Sequence, residues 1–123
     1  MSGSRLDGAH ILIVEDEAAV SALLCTAVTG GGGIVVGPTN DVHSALALLT
    51  GKRVDAAILT LIAHGQYCEE VALELNRRAV PFAVVTGIGA DIRHPELASA
   101  ITIAKPFQAE YIRQVLEDLL IKN

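Results

Sequence analysis

Aromatic side chains are scarce: the 123 residues include no Trp, two Tyr and two Phe, namely Tyr67, Tyr111, Phe82 and Phe107. A base-stacking nucleic-acid surface is thereby excluded, and any core must be built from Ala, Val, Leu and Ile. Cysteine is equally sparse. Cys25 and Cys68 form neither a CxxC pair nor a metal-ligand spacing, and no signal peptide precedes the first apolar segment, so a reducing cytoplasm is the expected compartment. Although 51% of the residues are hydrophobic, no apolar run approaches the roughly 20 residues of a membrane-spanning helix, and no membrane partner is expected. Positive charge is in short supply too. Nine Lys and Arg stand against fourteen Asp and Glu, a formal net charge of −5, and the basic residues are scattered along the chain. Without a basic stripe, direct nucleic-acid binding is not expected.

What is present is alternation. His10 to Val14 is a short apolar run without polar interruption, as expected of a strand covered on both faces. Glu15-Asp16-Glu17 follows, and Val20, Leu23, Leu24, Ala27 and Val28 then recur at helical spacing until Gly30 to Gly33 stop the helix. The unit repeats: a strand at Ile34 to Val36, then a helix opened by Asn40 or Asp41, carrying Val42, Ala45, Leu46 and Leu49 inward and closed by Gly51. Ala56 to Leu59 is a third buried strand. Glu69 to Ala79 is a third helix with Val71, Ala72, Leu75 and Ala79 inward, and Phe82 to Val85 is a fourth strand. Ile88 to Ala100 permits only a short or irregular helix. Ile101 to Ala104 is a fifth strand, and Ile112, Val115, Leu116 and Leu119 mark the closing amphipathic helix. Five βα units predict an α/β domain with a parallel, doubly wound sheet over residues 9–121, preceded by a flexible segment 1–8.

In such sheets, chemistry lies beyond the C-terminal strand ends. Those ends bring together Glu15 and Asp16, Thr60, Thr86 with Gly87, and Lys105 before Pro106. Blander roles stand beside this one. The two acids can simply favour a helix N-terminus, Lys105 can pair with them, and Thr86 can cap local backbone. Gly30 to Gly33 follows a helix and lacks a Lys-Ser/Thr ending, so it is a turn and not a phosphate cradle. Glu15, Asp16 and His64 form a possible mixed oxygen and nitrogen metal set, against which a loop histidine is ordinarily solvated. Cys25 is expected in the core, and Cys68 nearer the surface.

In this order and spacing, ILIVEDE (11–17), VDAAIL (54–59), VVTG (84–87) and AKPF (104–107) resemble the receiver domains of response regulators, the phosphoacceptor module of two-component signalling. PFAVVTGIG (81–89) is similar to the variant receivers with a PFxFATGY-type motif. The resemblance implies a flavodoxin-like (βα)5 fold with strand order 2-1-3-4-5, a Mg²⁺ ion held by the acids, and phosphate accepted from a histidine kinase. It also places the phosphoacceptor aspartate at position 60, which is Thr here, and a switch aromatic at position 102, which is also Thr. Asp55 opens the third strand at the far edge, and no carboxylate occurs from Leu61 to His64.

The chemistry of this replacement is independent of the resemblance. A carboxylate is a nucleophile at neutral pH and gives a labile acyl phosphate, whereas a threonine hydroxyl needs a base and gives a stable ester. Thr60 also removes a hard oxygen ligand and a negative charge. At about 4 Å and an effective dielectric near 20, one such charge contributes roughly 4 kcal/mol before desolvation, so Glu15 and Asp16 alone are expected to hold Mg²⁺ weakly, if at all. The expectation is a degenerate receiver with no enzymatic activity and no required cofactor. It would act by protein contact with a histidine kinase or another signalling protein, and could form a homodimer through the fourth-helix, fifth-strand and fifth-helix face with Arg93, Glu96, Tyr111, Arg113 and Asp118. The alternative is a phosphorylatable receiver, or one responsive to metal or a small ligand, with a non-standard pocket.

Overall fold

The computed structural model describes residues 4–87, 95–98 and 100–121. Five strands, β1 (His10–Val14), β2 (Ile34–Thr39), β3 (Ala56–Thr60), β4 (Phe82–Thr86) and β5 (Ile101–Ala104), form one parallel sheet in the order β2-β1-β3-β4-β5. Helices α1 (Ala18–Gly30), α2 (Val42–Gly51), α3 (Glu69–Arg77), α4 (Pro95–Ala98) and α5 (Ala109–Ile121) link or follow the strands. The expected α/β fold class and strand order are therefore present, and α4 covers Pro95–Ala98 among the described residues. The expectations for 88–94 and 99 lie outside the described residues.

The uninterrupted apolar strands have a direct cause. Leu12, Val14, Ala57, Leu59 and Val84 pack into one core with α2, α3 and α4, while Ile11, Ile13, Ala56, Ile58, Ala83, Val85 and Ile103 pack into a second with α1 and α5. Successive side chains point to opposite faces, so both faces must be apolar when both are covered. β3, at the centre, is buried at every residue, whereas the edge strands leave Ile34 and Ile101 exposed. Asp41 opens α2, its Oδ1 accepting from the Ser44 amide at 2.7 Å.

Several boundaries differ from expectation. β2 runs on through Gly37 and Pro38 to Thr39, whose carbonyl accepts from the Glu15 amide at 2.9 Å. α3 stops at Arg77; Ala79 is exposed at φ 58°, a left-handed position that ends the helix, and is not an inward residue. Cys68 is fully buried and Cys25 only half-buried, the reverse of their expected order, because Cys68 sits beneath the start of α3 in the core. Burial, with the charges of Asp16 and Glu15, pushes the Cys68 thiol up to about 12, so it is an inert packing residue.

Nor are residues 4–8 a free segment. Leu6 is buried against the glycine turn: a Cβ on Gly31 would lie 2.5 Å from its Cδ2, and one on Gly33 2.9 Å from its Cδ1. The Arg5 and Leu6 amides donate to the Glu117 carboxylate of α5 at 2.9 and 3.1 Å. Leu6→Ala should therefore cost about 2–3 kcal/mol of stability in urea unfolding; an unchanged midpoint would return this segment to a free tail.

Candidate functional site

The C-terminal strand ends carry the polar residues into two adjoining cavities. One, of about 270 Å³, is lined by Asp16, Glu17, Thr60, Thr86, Gly87 and Lys105. The other, of about 310 Å³, lies towards β2 and is lined by Glu15, Asp16, Ser21, Thr39 and Asn40. The expected grouping of both acids with Thr60, Thr86 and Lys105 is thus divided. Asp16 borders both cavities, and Glu15 only the second.

The local backbone explains the division. Glu15 follows β1 directly and is 3% exposed; its Oε2 accepts from the Glu17 amide at 3.0 Å, which folds the carboxyl back against the start of α1. Its Oε1 is buried without a hydrogen-bond partner. Burial pushes the Glu15 carboxyl above its usual range, against the opposing pull of the Glu17 amide and the Lys105 charge. Asp16 is exposed, and the His64 amide, donating to its Oδ2 at 3.0 Å, holds it below the usual range.

Thr60 ends β3 opposite Val85 and is buried with the cavity beside it; its Oγ1 donates to the Ile62 carbonyl at 3.3 Å. That bond ties it to a small hairpin, Ile62–Ala63 with Gln66–Tyr67, turned by His64 and Gly65 at positive φ. Thr86 is also buried, and its carbonyl accepts from the Lys105 amide at 3.0 Å. The Lys105 ammonium pairs with the Glu17 carboxylate and not with the Glu15–Asp16 pair. Burial works to lower the lysine pKa; Glu17, Glu15 and Asp16 outweigh it and hold the ammonium above its usual range. Glu17 is the residue that sequence reasoning passed over. The run of three consecutive acids was the available signal, since the third, at the cap of α1, is the one that pairs with Lys105.

A divalent cation does not fit these donors as they stand. Only Asp16 of the two acids reaches the cavity that holds Thr60 and Lys105, one oxygen of each acid already accepts an amide, and position 60 supplies a hydroxyl that is itself engaged as a donor. Among the described residues, no three His, Cys, Asp or Glu side chains gather as a ligand set. His64 reaches Asp16 through its backbone amide, so the Glu15, Asp16 and His64 trio is not assembled.

Thr102 points away from this site. It lines an outer groove of about 590 Å³ with Pro106, Phe107, Tyr111 and Gln114. Of the residues expected on that face, Tyr111 and Asp118 are exposed and Glu96 is half-buried, while Arg93 lies outside the described residues. Arg113 is half-buried: it bonds Glu110 of this groove at 3.0 Å, and a Cβ on Gly30 would meet its Nη1 at 3.1 Å, so it also reaches the end of α1.

The structure is similar to that of SdrG from Sphingomonas melonis Fr1, with 31% identity, a TM-score of 0.80 and coverage of 92% of this chain and 97% of that one. It shares its fold with the receiver domain of NtrX from Brucella abortus (22% identity, TM-score 0.78, covering 92% and 99%). The chemotaxis response regulator CheY4 of Vibrio cholerae matches comparably (20% identity, TM-score 0.78, covering 92% and 99%). In sequence, the transcriptional regulatory protein TcrA of Mycobacterium tuberculosis is 36% identical over 88 residues, 70% of this chain. The chain spans about a third of the length of that curated relative, 34%. No protein-family model matches it. Among the described residues, no helix is long and apolar enough to cross a membrane.

The buried Glu15 carboxyl gives a pH dependence. Because its folded pKa is raised, its favourable contribution is complete below the unfolded pKa and is lost as pH rises through the folded value. Glu15→Gln should therefore melt higher than the parent protein at pH 7, and the difference should vanish near pH 4. An equal gain at both pH values would show that the carboxyl is not strained by ionisation.

Proposed function

The chain belongs to the receiver domains of response regulators, and on that premise we propose that it transmits a signal by protein contact without aspartyl phosphorylation. The observation that carries this reading is Thr60, buried at the end of β3 beside Thr86 and Lys105, with its hydroxyl turned to the Ile62 carbonyl. Position 60 itself offers no carboxylate to a phosphohistidine; its hydroxyl is engaged by the Ile62 carbonyl, and the Asp16 and Glu17 carboxylates that line the same cavity are held by the His64 amide and the Lys105 ammonium. The Lys105–Glu17 pair bridges β5 and α1 where a phosphoryl group would otherwise draw the lysine. With Thr102 on the outer face, a rotamer relay from the pocket has no aromatic to move.

The surface best suited to a partner is the β5 and α5 groove, where Tyr111 is 45% exposed beside Thr102, Phe107 and Gln114. A histidine kinase, another signalling protein or a second copy of the chain would dock there. The unpartnered Glu15 Oε1 favours a second reading, a pocket that responds to a small ligand.

Incubation with Mg²⁺ and acetyl phosphate should leave the intact mass unchanged; a stoichiometric, alkali-labile phosphoryl adduct would overturn the proposal. Thr60→Asp should lower the stability of the metal-free protein by about 1–3 kcal/mol through repulsion with Asp16 and Glu17. It should also create a Mg²⁺-dependent rise in melting temperature that the parent protein lacks. A Mg²⁺ response in the parent protein would favour the ligand-responsive reading.

A further inference from the structure

At the opposite pole of the sheet, around the N-terminal ends of β1 and β3, lies a cavity of about 710 Å³. Three of the chain's nine Lys and Arg line it, from separate segments: Arg5 before β1, Arg53 between α2 and β3, and Arg78 at the end of α3. In a chain of net charge −5, this gathering of guanidinium groups runs against the overall balance.

The carboxylates nearby do not use up their donors. Asp55 is fully engaged, its Oδ2 accepting the His10 amide at 2.8 Å and its Oδ1 the Arg53 Nε at 3.2 Å. Arg53 is thereby oriented through Nε alone, which leaves both terminal nitrogens. Arg78 is fixed by Nε to Glu74 at 2.6 Å and by Nη1 to the Leu49 carbonyl at 2.5 Å, which leaves Nη2. Arg5 is anchored through its backbone on Glu117, and its guanidinium makes no hydrogen bond among the described residues. Asp7, the remaining acid of the cavity, is exposed. Val54, Val80, Leu120 and Ile121 supply an apolar wall.

We propose that this cavity binds a phosphate monoester, its phosphate held by Arg5, Arg53 and Arg78 and its organic body against the Val54, Val80 and Leu120 wall. A carboxylate offers two oxygens and one charge, enough for a single guanidinium fork; a phosphate monoester offers three oxygens and close to two charges, matched to donors arriving from three segments. The cavity volume lies within the range of small-molecule sites.

The test is an amide chemical-shift titration of the labelled protein with phenyl phosphate, with inorganic phosphate, and with sodium chloride at matched ionic strength. Saturable shifts at Arg53, Val54, Val80 and Ile121 are expected, with phenyl phosphate binding tighter than inorganic phosphate. Arg5→Gln and Arg53→Gln should each weaken binding roughly fivefold to tenfold without changing the melting temperature. Shifts no larger than those of chloride, shifts confined to the Lys105 end, or affinities unchanged in both variants would overturn the site. Equal affinity for the two phosphates would overturn the organic body.

Discussion

The pairing of β3 between β1 and β4 is the constraint on which the rest depends. Its five residues are buried on both faces, and the register Val14 with Leu59 and Thr60 with Val85 brings the ends of three strands level. A slip of one residue would exchange the two cores, since side chains alternate between faces, so the side chains fitted against α2 and α3 would have to repack against α1 and α5 and the reverse. That rigidity delivers Thr60 to the cavity beside Thr86 and Lys105. There its hydroxyl finds the Ile62 carbonyl.

The fold was largely readable in the sequence because its signals are local and strong. Unbroken apolar runs such as Ile11 to Val14 and Ala56 to Leu59 need cover on two sides, and the helical spacing of Val71, Ala72 and Leu75 needs a core below it. The alignment of Glu15, Asp16, Thr60, Thr86 and Lys105 on one edge followed from topology alone. What could not be read were side-chain choices among near neighbours. Whether Lys105 meets the first, second or third of three consecutive acids depends on the first turn of α1, and whether Glu15 faces one cavity or the next depends on a single amide from Glu17. Leu6 was hidden for another reason: an isolated apolar residue has no period, and its site exists only because Gly31 and Gly33 leave room for it.

The same distinction applies to charge. Read along the chain, the basic residues are scattered. Folded, Arg5, Arg53 and Arg78 share a cavity, because the segment before β1, the loop before β3 and the end of α3 must all return to the side from which parallel strands start. The acids that follow strands, Glu15, Asp16 and Glu17, collect at the other end for the mirror-image reason.

Parallel topology thus turns a one-dimensional order of charges into two separate groups, one at each end of the strands. The three arginines and the three consecutive acids lie about a strand's length apart, roughly 16 Å for five residues, beyond the Debye length of ~10 Å in 0.1 M salt, so each group acts on a charged partner by itself. The strand direction, set by hydrophobic packing, thereby also decides which charged groups become neighbours and which never meet.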